Sequence, residues 1–258
     1  MAKKTGLSLL GRALGVLAAA AASATIYVLW LPDVAPLKRG PIKTTAFIER
    51  RKAAARSEGK PLKIQIAWAP YDAISDDLKH AVVTAEDDMF YRHHGVDWDS
   101  TRSALIRDWE LKRPAFGAST ITQQLARNLY LSPSKNPLRK IKEILIAQRL
   151  EKTLGKRRIL ELYLNVAEWG RGIYGAEAAA QAYFGKHASE LSADEAVALA
   201  VVLPSPSRHN PAKRGRYVER NMKRVMARMR KSGLLPDEDE ATDEVAPSTG
   251  VPAGLTAS

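Results

Sequence analysis

One carboxylate in the sequence, that of Glu86, has a position that favours a role in proton transfer. Glu86 lies in the segment AEDDMFYRHHG. On a predicted helix it follows Val82 by one turn and precedes Met89 by three residues, so it lies at the edge of an apolar stripe. Partial loss of water at such an edge raises the pKa of a carboxyl group toward the range of a general base. The alternative interpretation is a solvated glutamate on a helix surface, and this segment alone favours that alternative.

Two adjacent histidines in the same segment, His93 and His94, suggest a metal site. Adjacent side chains point in different directions, and no carboxylate shares a helical i, i+4 spacing with them on a common face. A role in a loop or in the core therefore explains these two residues better than metal binding does.

The segment GASTITQQLARN combines hydroxyl, amide and guanidinium side chains. Thr120 and Gln123 have the spacing of a capping box, which predicts that a helix begins here. Capping does not explain Gln124, Arg127 and Asn128, which at i, i+3 and i+4 share one polar helix face. Such a face can hold sugar hydroxyls or phosphate oxygens.

A further predicted helix, which begins at Pro137, has a strongly charged side. The charged residues on that side are Arg139, Lys140, Lys142 and Glu143. Leu138, Ile141 and Leu145 are expected to face the core. One interpretation is that these charged side chains are solvated and form surface ion pairs, which contribute only about 0.3 kcal/mol each to stability. For this segment alone, that interpretation is sufficient. The functional alternative is a basic cluster that neutralises a diphosphate, with Glu143 orienting a lysine or holding a divalent cation.

The elements that carry these groups are predicted to be helices. Ser75 is expected to cap the helix that contains Glu86. Gly155 is expected to end the basic helix, and Glu161 lies on the amphipathic helix that follows, where its role stays open between structure and function. The fold is therefore predicted to be mainly α.

The composition restricts the classes of partner and site. The 258 residues include 40 Lys and Arg against 28 Asp and Glu, and six of the acidic residues lie between Asp237 and Glu244. This leaves 22 acidic residues and a net charge of +18 for the chain up to residue 235. Such a charge favours nucleic acid, phosphate groups or an anionic bilayer without selecting among them. The absence of cysteine excludes disulfides and thiolate metal sites.

An uncharged run from Ala13 to Leu31 follows Lys3, Lys4 and Arg12 near the start of the chain. As a helix this run would be about 28 Å long, close to the roughly 30 Å hydrocarbon core of a bilayer. The preceding basic residues orient the N-terminus toward the cytoplasm, so that everything after the run is exported. A cleaved signal peptide is the alternative, because Ala22–Ala24 resembles a cleavage site. The apolar residues that continue beyond that site favour a retained anchor.

These signals divide the chain into five parts. They are a cytoplasmic N-terminus (1–12), a transmembrane anchor (13–31), a linker (32–66), a catalytic domain (67–235) and a tail (236–258). The linker mixes Pro and basic residues with short apolar pieces and can include a short strand. The tail is acidic, then Pro-rich, and has no periodic apolar face, so it is expected to be disordered.

Read in order, four segments of the catalytic domain resemble one enzyme family. They are EDDMFYRHHG from Glu86, GASTITQQLARN from Gly117, RKIKE from Arg139 and RILELYLN from Arg158. Together they are similar to the family 51 glycosyltransferases, the transglycosylase domain of class A penicillin-binding proteins and of monofunctional peptidoglycan transglycosylases. The resemblance covers roughly residues 68–230. One departure is Arg127, where the family usually has lysine; the charge is kept, but a flexible point contact becomes a planar fork.

The resemblance implies a lysozyme-like, mainly α domain with two lobes divided by a cleft, preceded by one transmembrane helix. It implies an inverting, monofunctional glycosyltransferase that polymerises lipid II into β-1,4-linked glycan strands and releases undecaprenyl diphosphate. Glu86 would be the general base, and Glu143 a second catalytic residue that positions a lysine or binds Mg²⁺ or Mn²⁺. The substrate-binding residues that the motifs imply are Ser119, Thr120, Gln123, Gln124, Arg127, Asn128, Arg139, Lys140 and Lys142.

The implied partners are lipid II, the growing lipid-linked glycan and the membrane, with cell-wall synthesis or division proteins as further candidates. The implied location is the inner (cytoplasmic) membrane, with the catalytic domain on the periplasmic side. Two other functions stay open. A lytic muramidase of similar fold would have no need for a basic diphosphate cluster, and an envelope scaffold would not depend on Glu86. Nucleic acid is not expected as a partner, because it would require the basic domain on the cytoplasmic side.

Overall fold

The computed structural model shows a mainly helical protein. It describes residues 2–59, 62–112, 117, 119–134 and 136–236, and the expected tail lies outside these residues apart from Pro236. The described residues form ten α-helices, four short 3₁₀ helices and one small sheet, so the predicted mainly α class is confirmed. The α-helices are α1 (Ala2–Leu29), α2 (Ala46–Ser57), α3 (Asp76–Glu86), α4 (Trp98–Glu110), α5 (Ile121–Tyr130), α6 (Pro137–Thr153), α7 (Lys156–Val166), α8 (Ala176–Phe184), α9 (Ala193–Ala200) and α10 (Arg216–Lys231).

The apolar run near the start of the chain is helical. Within α1, the 19 residues Gly11–Leu29 are long and apolar enough to cross a bilayer by length and composition, and none of them is buried inside the protein. The helix ends at Leu29 and does not reach Leu31, because the residue before Pro32 disfavours helical backbone. α1 packs against α6.

The segment 32–66, expected to be a linker, is largely folded. It contains a 3₁₀ helix (Ala35–Lys38), α2 and the short strand β1 (Gln65–Ile66). The Thr45 hydroxyl caps α2 by accepting a hydrogen bond from the Ile48 amide at 3.2 Å, and α2 packs against α5. Ile48 is the one buried residue of α2, all of which the structure describes. Without an apolar stripe, this helix has no clear sequence signal.

Three short strands tie the chain before α3 to the end of α7. β2 (Glu168–Gly170) and β3 (Ile173–Tyr174) pair antiparallel, and β3 pairs in parallel with β1, which gives the order β1-β3-β2. Gly172 lies in the turn between β2 and β3 with φ +81°. A Cβ atom at this position would lie 2.5 Å from the Lys63 carbonyl oxygen, so the turn requires glycine.

Two groups of helices hold the core around the site. α3 packs on α9 and α10, while α5 packs on α2, α6 and α7. Trp169, Tyr163 and Phe90 are among the largest fully buried side chains. α4 differs, because every side chain that the structure describes on it is at least partly exposed. The core therefore fixes α3, α5 and α6 relative to one another.

Two expected helix boundaries are corrected. Ser75 caps α3 as predicted, but α3 ends at Glu86, so Met89 lies in the following turn and does not extend the helix stripe. Gly155 does not end α6. Leu154, with extended backbone, is the C-cap of α6, and Gly155 is the N-cap of α7 with a φ of −77°.

The inward face of α6 also differs from the expectation. Its buried residues are Glu143, Ile146, Ala147 and Leu150. Ile141, expected inside, is 48% exposed, and Leu138 and Leu145 are partly exposed. The buried positions follow i, i+3, i+4 and i+7 spacing. The carboxylate of Glu143 therefore occupies the first position of the buried stripe. The buried face of α6 is rotated about the helix axis relative to the expected apolar face.

Candidate active site

Glu86 is the last residue of α3, and its carboxylate contacts α5. Its Oε2 accepts a hydrogen bond from Nε2 of Gln124 at 2.8 Å. The Oε1 of Gln124 accepts a hydrogen bond from the Tyr163 hydroxyl at 3.0 Å, and Tyr163 is 1% exposed. Because an ionised carboxylate can only accept, the amide nitrogen of Gln124 points at Glu86, and the Tyr163 hydroxyl acts as the donor to the other end of the amide.

The surroundings of Glu86 raise its pKa above the ordinary value. Burial is the largest cause, and the neighbouring Asp87 adds to it, whereas the Gln124 hydrogen bond and the charge of Arg127 lower the pKa. The side chain is still partly exposed, so a substrate can reach it. A carboxylate with a raised pKa and an open approach is suited to general-base catalysis.

Asp87, next to Glu86, has a structural role. Its Oδ2 accepts a hydrogen bond from the Ile121 amide at 2.9 Å and lies 3.0 Å from Nε2 of His93. The Gly95 amide donates to Nδ1 of His93 at 3.1 Å, which assigns the ring hydrogen to Nε2, facing Asp87. His93 thus joins the end of α3 to the start of α5, and the core interpretation of this buried histidine is confirmed.

The start of α5 has the predicted capping box. Thr120 Oγ1 accepts a hydrogen bond from the Gln123 amide at 3.1 Å, and Gln123 Oε1 accepts one from the Thr120 amide at 3.2 Å. The Thr120 hydroxyl donates to the Gly95 carbonyl at 2.7 Å. Both side chains are buried, so they position α5, and their contact with substrate stays a prediction.

Glu143 is completely buried and is held by two cations. Lys140 Nζ donates to its Oε1 at 2.6 Å, and Arg139 Nη1 donates to its Oε2. Arg139 also donates through Nε to the Ser134 carbonyl at 2.6 Å. Lys140 Nζ donates to the Ser119 hydroxyl at 2.8 Å. Two cations and one carboxylate leave a positive charge beside Ser119.

Lys142 lies apart from this cluster. Its Nζ is 4.3 Å from the centre of the Tyr27 ring, which belongs to α1. This distance is that of a cation–π interaction. The structure therefore brings Arg139, Lys140 and Glu143 together with Ser119, while it places Lys142 against the predicted anchor.

The residues around Glu143 do not fit a divalent cation. Both carboxylate oxygens already accept hydrogen bonds from cationic side chains, and Mg²⁺ or Mn²⁺ would be repelled by Arg139 and Lys140. In the part of the chain that the structure describes, no three His, Cys, Asp or Glu side chains are grouped as a metal site. The geometry favours the other interpretation of Glu143, in which it positions Lys140.

Two cavities adjoin at the hydrogen bond between Glu86 and Gln124. The Glu86 cavity, of about 370 Å³, is lined by Glu86, Ser119 and Thr120 among others. The arginine cavity, of about 430 Å³, lies on the Gln124 side. The residues that define the arginine cavity are Arg51, Gln124, Arg127, Asn128, Tyr163, Glu168 and Arg208. The predicted polar face of α5 thus lines one cavity with all three of its residues.

Comparison with known proteins decides the family. A family model described as Transglycosylase matches residues 56–230, a range that includes Glu86, Gln124 and Glu143. The chain belongs to the transglycosylase family. A biosynthetic peptidoglycan transglycosylase of Azoarcus sp. (strain BH72) is 46% identical over 201 residues, which cover 78% of this chain and 86% of the relative. Relatives of the same name are 43% identical over 230 residues in Aromatoleum aromaticum, covering 88% and 97%, and 45% identical over 237 residues in Alcanivorax borkumensis, covering 90% and 93%.

Several side chains at the site of this transglycosylase were not predicted from the sequence. Phe47 and Arg51 come from α2, ahead of the matched range, and Arg208 comes from the loop after α9. Arg228 of α10 lines the Glu86 cavity and pairs with Asp88 at 2.5 Å. Residues 204–208 and α10 lie almost entirely within the range covered by the resemblance, but their residue types alone assign no role to a single arginine.

One carboxylate whose role the sequence left open is structural in this transglycosylase. Glu161 of α7 pairs with Arg158 at 2.8 Å, and the two side chains are only 14% and 15% exposed. Arg158 also donates to the carbonyl oxygen of Leu37 at 2.8 Å and to that of Gly40. These contacts attach the segment before α2 to α7, and Glu161 lines neither of the two cavities at the site.

Proposed function

We propose that this transglycosylase is a membrane-anchored peptidoglycan glycosyltransferase that polymerises lipid II into β-1,4-linked glycan strands. One observation carries the proposal. Glu86, a carboxylate with a raised pKa, shares a cavity with Ser119, whose hydroxyl holds the ammonium group of Lys140. An inverting displacement of a diphosphate requires a base and a cation on the same reaction centre. The names of the relatives support the substrate class.

In this mechanism Glu86 takes the proton of the acceptor's 4-hydroxyl while that oxygen attacks the anomeric carbon of the donor. The new carbon–oxygen bond forms with inversion as the bond from the anomeric carbon to the diphosphate breaks, and undecaprenyl diphosphate leaves. Gln124 occupies Oε2 of Glu86. Among the described residues none donates a hydrogen bond to Oε1, so Oε1 is the oxygen that accepts the proton.

The departing diphosphate gains negative charge, which cations already in place stabilise in the transition state. Lys140 is suited to this role, because Glu143 and Ser119 hold its ammonium group beside the Glu86 cavity. Glu143 acts through Lys140 and is a positioning residue, while Arg139 balances its buried charge. No step of this mechanism passes through a metal ion.

The membrane location belongs to the same proposal. α1 would hold the domain at the bilayer, where both lipid-linked substrates are confined. The charges of Lys3, Lys4 and Arg12 before the apolar run support an N-terminus in the cytoplasm and a catalytic domain on the periplasmic side of the inner membrane. Large exposed apolar side chains on α4 fit contact with lipid. They are Trp98, Leu105, Ile106 and Trp109.

The test is incubation of the purified full-length protein with lipid II, followed by separation of products by size. We expect glycan polymer and free undecaprenyl diphosphate from the wild type, and neither from Glu86→Gln. A lytic muramidase would instead shorten preformed glycan. A scaffold would bind glycan without turnover and would tolerate Glu86→Gln. Either of the last two outcomes contradicts the proposal.

A further inference from the structure

One side of α10 is strongly basic and faces solvent. Its exposed cations fall within about 100° around the helix axis, given 3.6 residues per turn. They are Arg216, Arg220, Lys223, Arg224 and Lys231, and together they are named the basic face. The buried side of α10 lies opposite and is formed by Val218, Met222, Val225 and Met229. The basic face is therefore turned directly away from the domain.

The basic face has no neutralising partner within the described part of the chain. None of its five cations takes part in a hydrogen bond or a salt bridge with a described residue. Arg228 differs, since it pairs with Asp88. Glu219 is the one acidic residue of α10, all of which the structure describes. Like charges four residues apart destabilise a helix, so an anionic partner on this face would stabilise α10.

The sequence that follows α10 has the complementary charge. Six acidic residues lie between Asp237 and Glu244, and the first of them comes six residues after the end of α10 at Lys231. Residues 237–244, which lie outside the described part of the chain, are named the acidic segment.

The chain turns back toward the domain before the acidic segment begins. Gly233 has a φ of +68°, and the Leu234 amide donates to the Met229 carbonyl at 2.9 Å. This is the left-handed turn that glycine allows at the end of a helix. Leu235 then packs against the core. The acidic segment therefore starts beside the end of the basic face.

The length of the acidic segment matches that of the basic face. In an extended conformation its eight residues span up to about 26 Å, and the 16 residues of α10 rise by about 24 Å. The covalent link also gives the segment an effective concentration in the millimolar range at this face. Position, length and charge together favour this segment of the chain over a separate polyanion as the occupant.

We propose that the acidic segment docks on the basic face of α10 and runs back along the helix toward Arg216. The contact is electrostatic and does not require a fixed conformation in the segment. It neutralises the face and excludes other polyanions from it. The inference does not depend on the proposed function, because none of the five cations lines either cavity at the site.

The test measures the distance between two spin labels in the full-length protein in detergent. The chain has no cysteine, so labels attach only at introduced positions. We choose Ala212→Cys, at an exposed residue just before α10, and Ala241→Cys, at an uncharged position within the acidic segment. Docking along the helix would bring position 241 beside Lys223, at roughly 20 Å from position 212.

We expect a narrow distance distribution near roughly 20 Å at about 0.01 M salt. It should become broad and shift to longer distances at about 1 M salt, where charges are screened beyond about 3 Å. The combined replacements Arg220→Gln, Lys223→Gln and Arg224→Gln should give the broad distribution even at low salt. The matched control, with Lys38→Gln, Arg39→Gln and Lys43→Gln, removes the same charge from exposed positions outside α10 and should keep the short distance.

Three results would overturn the inference. The first is a broad distribution at low salt in the labelled protein without further replacements, and the second is a short distance that survives neutralisation of the basic face. The third is loss of the short distance on dilution with an excess of unlabelled protein, which would assign the occupant to a second copy. Vesicles of anionic phospholipid test a lipid occupant. Vesicle binding that the face-neutralised variant loses, together with labels that are far apart in the unmodified face, would assign the face to the membrane and contradict docking of the segment.

Discussion

Replacement of Lys140 by methionine separates chemistry from stability at the cationic cluster. Methionine keeps most of the length of the side chain and removes the ammonium group, which lies 2.6 Å from Glu143 Oε1 and 2.8 Å from Ser119 Oγ. Glu143 would retain Arg139 as its partner, so the buried carboxylate would still be paired. The Lys140 side chain is 39% exposed, and solvent screening limits the stability loss to about 1 kcal/mol.

The expected loss of turnover is much larger than the loss of stability. A free-energy change of about 1 kcal/mol lowers the melting temperature by roughly 2–4 °C in a domain of this size. Removal of one cation from the departing diphosphate costs on the order of 10²-fold in kcat. The assay is steady-state polymerisation of lipid II beside thermal melts, with Lys152→Met as the control, because Lys152 is exposed near the other end of α6. Wild-type turnover by folded Lys140→Met would refute the role of this lysine at the diphosphate.

Lys142→Met tests the same reasoning on the neighbouring lysine. The resemblance implies a diphosphate role for Lys142, whereas its ammonium group lies over the ring of Tyr27. The geometry therefore predicts a smaller loss of kcat than for Lys140→Met. Equal losses for both variants would show that the side chain leaves Tyr27 when substrate binds.

Four further outcomes are expected. Glu86→Gln should abolish polymerisation without lowering the melting temperature, since it removes a desolvated charge and keeps the shape; near-normal turnover would exclude Glu86 as the base. Tyr163→Phe should lower kcat by roughly tenfold, because Gln124 loses the hydroxyl that orients it; an unchanged kcat would contradict that role. Chelation of divalent cations should leave polymerisation by the purified enzyme intact, given that both oxygens of Glu143 bind cationic side chains, and a loss restored by Mg²⁺ would disprove this. Because the pKa of Glu86 is raised above 4.5 and its ionised form is the base, the rate should rise with pH through that raised pKa, and a rising limb centred at or below pH 4.5 would contradict the assignment.

Local signals in the sequence were sufficient for the starts of α3 and α5. The caps at Ser75 and Thr120 depend on residues within one helical turn, which is why their positions could be predicted without tertiary contacts. The polar face of α5 was predicted on the same basis, because helical periodicity alone places Gln124, Arg127 and Asn128 together.

The features of the site that sequence patterns did not reveal depend on packing between residues that are far apart in the chain. Glu168 lies 117 residues from Arg51, and no local pattern links these two residues. Glu143 is buried although it lies between Lys142 and Ile144 in a charged segment. Periodicity assigned it to the solvent side, because a buried carboxylate is costly unless it is paired. Its two partners, Arg139 and Lys140, are on the same helix, so the pairing was already present in the sequence. That the paired carboxylate is buried could be recognised only from the packing of α6 against α5.

α6 connects the predicted anchor to the reaction centre through one rigid element. Lys142 contacts Tyr27 of α1, and Lys140, two residues earlier, contacts Ser119 at the Glu86 cavity. The two lysines lie on one helix, separated by only about 3 Å of axial rise, so a displacement of α6 that follows α1 would also displace the cluster. Effective catalysis depends on positioning within about 1 Å. A lipid-embedded α1 would therefore set the height of Lys140 relative to a diphosphate held at the membrane surface, and the anchor would contribute to the geometry of the reaction as well as to encounter with the substrate.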